Sequence, residues 1–293
     1  MTDLIVYCQL NKDYAYWTEK RSIGQQKGGQ VAGLLSHLQL GQVKQNLLFD
    51  TGLGTLEAIA DFCPDSFWDE PLVIFITHGH IDHHAELMIL SEIYCQRRGQ
   101  DIHDIRPPLQ VYCTADTYHH LSRTHWYGYN GGNTLQHVPI SAEKMIHIGP
   151  FKITPLAVDH FEGAVIFTIE VALEKQHKIV VGWDMTTLPL DKIESLQQPS
   201  LALLEATTWG PVEGMNDHTC LEDLVKTGFL DRLGLDYQPE QEKYGAYLVH
   251  YSGLEDPWGM LTDRQLKEKF DDTFPTLSNV VRVAGRGQQW QFT

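Results

Sequence analysis

The 293-residue chain has no apolar run near the roughly 18 residues of a membrane-spanning helix. It opens MTDLIVYCQLNKDYAYW, without a basic stretch and long apolar core, so no secretory leader is expected. Cysteine is scarce. Cys8, Cys63, Cys95, Cys113 and Cys220 are scattered, odd in number and form no CxxC. The expectation is a reducing cytoplasm, with each thiol a small buried apolar group. Basic residues are also in short supply, 22 against 38 acidic, for a formal charge of −16. A negative surface opposes broad contact with a phosphate backbone, so no nucleic-acid partner is expected. There is no GxSxG nucleophile turn, P-loop or dinucleotide fingerprint. Gly28-Gly29 and Gly285-Arg286-Gly287 are too sparse to make one. No solenoid repeat or low-complexity run divides the chain, so residues 1–293 read as one domain.

What is present is an alternation of strands and helices. Leu4–Tyr7, Val31–Leu35 and Asn46–Phe49 predict strands, the last ending at Asp50-Thr51-Gly52. A helix is expected over Thr55–Phe62. Leu72–Thr77 is a continuous apolar, β-branched run, the pattern of a strand buried on both faces. His78–His84 follows as a loop. Ala85–Arg98 carries Leu87, Leu90, Ile93 and Tyr94 at helical spacing. Thr117–Gly132 is aromatic and Gly-tipped and, within residues 117–137, predicts a long loop, either a lid for a site or a plain surface loop or subunit contact. Later, Phe151–Val158 leads to Asp159-His160. A hairpin of Val165–Ala172 and Lys178–Val181 ends at Gly182-Trp183-Asp184. Ser200–Leu204 runs into Glu205, Leu221–Phe229 is helical, and Gly245–Val249 ends at His250. A helix from Thr262 to Phe270, with Gln265 as its capping partner, and strands Val280–Ala284 and Gln289–Phe292 close the chain. Apolar strands ending in His or Asp recur, and functional groups collect at such ends.

Histidine is abundant, with 15 residues. The strongest motif is His78-Gly79-His80-Ile81-Asp82-His83, directly after the buried strand. Alternate residues of an extended segment point the same way, so His78 and His80 can share one ion. As the chain turns, Asp82 and His83 can face a second. Imidazoles with a carboxylate suit Zn²⁺, and Mn²⁺ or Fe²⁺ less selectively. Gly79 allows a close backbone approach.

This motif resembles the signature of the metallo-β-lactamase superfamily, and Phe49-Asp50-Thr51-Gly52 resembles its first acidic motif. The resemblance implies an α/β fold, a four-layer αββα sandwich with a dinuclear metal site at the sheet edge. Asp50 would brace the metal loop from behind. By resemblance His160 is the third histidine of the first ion, Asp184 the carboxylate between both ions, and His250 the last histidine of the second. The family often has Gly-Asp-Thr at the bridging carboxylate, and here Trp183 stands between Gly182 and Asp184. Glu205-Ala206-Thr207 and Asp217-His218-Thr219 resemble paired motifs of ribonuclease Z and its relatives. His218 would then sit near the attacked phosphate as a proton or hydrogen-bond donor, with Glu205 beside it. The bland alternative for this cluster is a cap for the following helix. His84 is expected at a helix start. His37, His103, His137, His147 and His177 have no partner pattern.

Two divalent ions lower the pKa of a bridging water to give hydroxide at neutral pH, so the reaction class is hydrolysis, with Asp82 orienting the nucleophile. The order of motifs resembles the ribonuclease Z and cyclic phosphodiesterase branch. Thioesterases and classical lactamases of the family carry Gly-His-Thr-x-Gly where this chain has Asp159-His160-Phe161-Glu162-Gly163. Only 23 residues separate His160 from Asp184, too few for a tRNA-gripping arm. The expected substrate is a small anionic phosphodiester or cyclic phosphate. A ribonuclease Z-like RNA phosphodiesterase, a lactone or carbon-ester hydrolase, and a non-hydrolytic accessory protein of cofactor biosynthesis stay open. Relatives are commonly homodimers, which the resemblance extends to this chain.

Overall fold

Side-chain alternation along the strands sets the layers. In Asn46–Phe49, Leu47 and Phe49 join one apolar cluster while Leu48 joins another. In Leu201–Glu205, Leu201 and Leu203 face the first cluster and Ala202 and Leu204 a third. Two such sheets bury one shared face and need helices on the other.

The computed structural model describes residues 2–8, 34–40, 43–97, 108–211, 217–250, 263–284 and 287–293. The strands are β1 (Thr2–Cys8), β2 (Leu34–Leu40), β3 (Val43–Phe49), β4 (Leu72–Phe75), β5 (Leu109–Cys113), β6 (Leu135–Pro139), β7 (Ile146–Ile148) and β8 (Phe151–Ala157). They continue as β9 (Val165–Ala172), β10 (Gln176–Gly182), β11 (Leu201–Glu205), β12 (Tyr237–Gln238), β13 (Lys243–Tyr244), β14 (Ala246–Val249), β15 (Val281–Val283) and β16 (Gln289–Phe292). One sheet has the order β16-β1-β2-β3-β4-β5-β6, the other β15-β14-β11-β10-β9-β8-β7. Each is antiparallel on one side and parallel on the other. β3 to β6 pair in parallel, as do β10, β11, β14 and β15. β12 and β13 form a separate small ribbon.

Between the sheets Phe49 stacks on Phe75 at 4.8 Å, and Phe167 of the opposite sheet meets both rings edge-on at 5.2 and 5.5 Å. Helices α1 (Thr55–Phe62), α2 (Leu87–Arg97) and α3 (Ala115–Thr124) cover the first sheet through Ile59, Leu87, Leu90 and Leu121. Helices α4 (Leu221–Lys226), α5 (Phe229–Leu233) and α6 (Asp263–Thr273) cover the second through Leu224, Leu230 and Phe270. The result is the helix-sheet-sheet-helix layering expected from the sequence. Among the described residues no helix is long and apolar enough to cross a membrane.

The expected long loop within residues 117–137 is a correction. Thr114 caps α3, accepting from the Thr117 N–H at 3.3 Å, and the helix runs to Thr124. A wide helical turn, Tyr127–Gly131, follows, and then β6. The aromatic residues and tip glycines suggested a loop, but Leu121 and Thr117 bury against the first sheet and hold a helix. The helix expected over Leu221–Phe229 breaks at Gly228, whose φ of 68° ends the first segment. The strand expected from Val31 begins at Leu34, and Val31–Gly33 lie outside the described residues, as do His103, Thr262, Gly28-Gly29 and Gly285-Arg286.

Phe167→Ala should lower unfolding stability by about 3–5 kcal/mol, because it empties the contact between sheets. Urea denaturation measures this, and a loss under about 1 kcal/mol would contradict the packing described.

Candidate metal centre

The parallel strands end at one edge of the sandwich. β3 runs into Asp50, β4 into Thr77-His78, β10 into Trp183-Asp184, β11 ends on Glu205 and β14 runs into His250. β8 lies antiparallel to β9, hence runs with β10, and leads toward His160. Backbone φ is positive at Asp50 (60°), Asp184 (58°) and His250 (54°). A non-glycine residue held in an unfavourable region costs about 1–3 kcal/mol, and such residues cluster at functional sites.

Three imidazoles converge first. His78 Nε2 lies 2.9 Å and His160 Nε2 3.2 Å from His80 Nδ1. The far nitrogen of His160 donates to the Asp217 carbonyl at 2.7 Å, and that of His78 lies 3.0 Å from the Thr77 hydroxyl. Such outer contacts fix each ring and its tautomer. A second group adjoins it. His83 Nδ1 donates to Asp50 Oδ2 at 2.8 Å, which turns its Nε2 toward Asp184 Oδ2 at 3.0 Å and Asp82 Oδ2 at 3.8 Å. His250 Nε2 lies 3.3 Å from Asp184 Oδ1, and its Nδ1 meets the Thr207 hydroxyl at 3.0 Å. Asp184 Oδ1 also lies 3.7 Å from His160 Nε2, so this carboxylate reaches both groups.

The structure thus brings together four overlapping groups among the described residues: His78, His80 and His160; His78, His83 and Asp184; Asp82, His83 and His250; and Asp184, Glu205, His218 and His250. His83 Nε2, His250 Nε2 and Asp184 Oδ2 are buried and make no hydrogen bond. Buried polar atoms need a partner, and divalent cations are the partners that imidazole nitrogens and a carboxylate oxygen share. The donor set therefore fits a metal site.

The electrostatics agree. Burial, then the charge of His83, pushes His78 well below its ordinary pKa, and burial with His160 lowers His80. Both are neutral rings ready to donate a lone pair. Burial opposes ionising Asp184, yet His250, His83 and His78 hold it well below the usual carboxylate range. Burial also opposes a charge on His83, but Asp184, Asp50 and Asp82 outweigh it and raise its pKa well above the ordinary value. That proton is the one a cation would displace.

Asp50 sits behind the loop, fully buried. Its carboxylate accepts from the Thr77 N–H, the Thr77 hydroxyl, His83 Nδ1 and Trp183 Nε1, each at 2.8 Å. Trp183, the residue that interrupts the family motif, is thus a donor to the brace. The backbone tightens the same contact, with Thr51 N–H donating to the His83 carbonyl at 2.7 Å. Glu205 is also fully buried. It accepts from the Met185 N–H (2.6 Å), the Thr207 hydroxyl (2.6 Å) and His218 Nδ1 (2.6 Å), and its carboxylate also lies within reach of Asp184 and His250. His218 lies between the rings of His160 (4.8 Å) and His250 (5.4 Å). Burial disfavours its charge, but Glu205, Asp184 and Asp217 push its pKa up to about 9.

Sequence reasoning missed Trp183, Thr77 and Thr207, whose partners are remote or carry no motif. It also missed the buried pair of His84 and His125, 2.8 Å apart, in which His84 further meets the Gly79 carbonyl at 3.2 Å. His84 is not a helix start but a prop for the metal loop. Elsewhere His137 stacks on Tyr118 and His177 faces Glu242 at 3.0 Å.

A family model described as beta-lactamase superfamily domain matches residues 45–231. The chain belongs to the metallo-β-lactamase superfamily. No curated protein sequence matches it. Among solved structures, a diphosphatase from the PhnP family is 15% identical, with 100% of this chain and 98% of that one covered and a TM-score of 0.67. Zinc-bound PqqB from Methylobacterium extorquens is 14% identical over 97% and 99% of the two chains, with a TM-score of 0.66. Unliganded yeast PDE1 is 11% identical over 99% of each, with a TM-score of 0.62. At these identities the likeness is one of fold. In this metallo-β-lactamase fold the convergent His and Asp groups lie at the edge where the parallel strands end.

His80→Ala and Asp184→Ala should each lower bound divalent metal, as counted by plasma mass spectrometry after dialysis. Two metals per chain retained in both variants would refute the assignment. Trp183→Phe removes one donor to Asp50 and should weaken metal affinity about 10- to 100-fold, measured by chelator competition.

Proposed function

We propose that this protein is a metal-dependent hydrolase of a small phosphodiester or cyclic phosphate. It would use two divalent ions, zinc foremost, with Mn²⁺ or Fe²⁺ as alternatives. The observation that carries the hydrolase reading is the trio of buried, unsatisfied atoms on His83, Asp184 and His250 beside three convergent imidazoles. Ions bound there would supply a nucleophile from water at neutral pH and polarise the attacked centre. His78, His80 and His160 would hold one, and Asp82, His83 and His250 the other, with Asp184 between them.

The chain's own groups divide the remaining work. Asp82 keeps 42% of its side chain exposed, so it can accept a hydrogen bond from the attacking water and orient it. His218 has Nδ1 committed to Glu205, which leaves the Nε2 proton for a developing oxyanion or a leaving-group oxygen. A positioned imidazole donor beside both metal groups would protonate the leaving alkoxide of a phosphodiester. Glu205 and Thr207 are positioning residues for His218 and His250.

The charge of −16 and the short link between His160 and Asp184 favour a small substrate over RNA. We place the activity in the cytoplasm, in keeping with Cys63, Cys113 and Cys220 being thiols and not disulfides. We expect no membrane partner, and a homodimer as its assembly.

The zinc-loaded protein should hydrolyse bis-p-nitrophenyl phosphate, followed by nitrophenolate absorbance, and leave a simple lactone intact. His218→Ala should reduce kcat by about 10²–10⁴-fold with metal content unchanged. Lactone cleavage without phosphodiester cleavage would overturn the proposal.

A further inference from the structure

The metal groups lie beside a rim that the proposed chemistry leaves unused. Phe161 follows His160 in the turn between β8 and β9. Its ring is 4.4 Å from His80 and 4.8 Å from His120 of α3, at interplanar angles of 55° and 62°. Neither imidazole lies flat on it, and Phe161 is only half-buried. His120 keeps 31% of its side chain exposed, with Nε2 4.0 Å from Glu162 Oε2.

This arrangement is held in place before any ligand arrives. A Cβ on Gly79 would lie 2.9 Å from His120 Cβ and 3.0 Å from Phe161 Cε1, so the closeness of the three depends on that glycine. The turn itself is pinned. Ala164 N–H donates to the Phe161 carbonyl at 2.9 Å, Val158 N–H to the Ala164 carbonyl at 3.2 Å, and the Thr114 hydroxyl to the Gly163 carbonyl at 2.9 Å. Gly163 has a φ of 77°, and a Cβ there would meet Thr114 Oγ1 at 2.4 Å. A preset aromatic group binds at less entropic cost than one ordered by its ligand.

We propose that Phe161 and His120 form a stacking platform for a planar aromatic arm of the phosphoester, a nucleobase or an aryl group, whose phosphate lies at the metal groups. This rests on the phosphoester reading of the site. Every nucleobase and aryl ring offers a π face, and such stacking tolerates different rings. His120 can in addition donate to a hydroxyl or ring nitrogen at the edge of the stacked group. Glu162, exposed on the outer side, opposes a further phosphate there, so the outer arm is an uncharged ring.

The test compares 5′-AMP with ribose 5-phosphate by calorimetric titration of the zinc-loaded full chain. The two share a sugar phosphate and differ in the base. AMP should bind at least about fivefold more tightly, the low end of what base stacking supplies. Phe161→Leu should abolish this preference, Phe161→Tyr should keep it, and His120→Ala should reduce it. Equal binding of the two ligands by the wild-type protein overturns the platform whether or not any variant folds. Hydrolysis of bis-p-nitrophenyl phosphate with no AMP preference would discard the platform and keep the phosphodiesterase reading. A Phe161-dependent AMP preference with no phosphodiester hydrolysis would do the reverse.

Discussion

One buried carboxylate holds the centre together. Asp50 receives two donors from Thr77, one from His83 and one from Trp183, and these belong to two separate stretches of chain. Thr77 and His83 stand at the two ends of the His78–His83 loop on one sheet. Trp183 comes from the other sheet, 133 residues away. A carboxylate with no access to water would be costly to bury alone, and four donors offset that cost. Removing it would release the loop's anchor, one histidine's orientation and one tie between the sheets together.

The same region concentrates backbone strain. Asp50, Asp184 and His250 all take left-handed conformations, each at the first or second residue beyond a parallel strand. Such a residue turns the chain sharply and swings its side chain over the sheet edge. The surroundings over-determine each turn: Asp50 by its donors, Asp184 by Met185 N–H on Glu205, and His250 by Thr207, whose hydroxyl also meets its carbonyl at 3.0 Å. Strain of this kind persists only where neighbouring contacts leave no alternative.

The layering was legible because apolar alternation marks both faces of most strands, and the buried runs Leu72–Phe75 and Leu201–Leu204 carry no polar residue. The His78–His83 cluster was legible because its residues are contiguous. His160, Asp184 and His250 emerged only from the order of strand ends and from family resemblance, since a lone histidine carries no local signal. The role of Trp183 was illegible for a physical reason: its partner is distant, and an indole N–H has no motif. The region after Thr114 misled because its glycines, Gly128, Gly131 and Gly132, cluster beyond the helix among aromatic residues, although Thr114 with Thr117 three residues on was a usable capping signal.

The division of the candidate ligands between the sheets gives the core a second task. His78, His80, Asp82 and His83 ride on one sheet, and His160, Asp184 and His250 on the other. The aromatic cluster of Phe49, Phe75 and Phe167 is therefore a spacer as well as a source of stability. A cation held by residues of both halves would bind the docked sandwich and not its separated sheets, so it would act as a clasp whose strength adds to that of the core. Metal affinity would then be a gauge of sheet alignment, sensitive to substitutions far from these side chains.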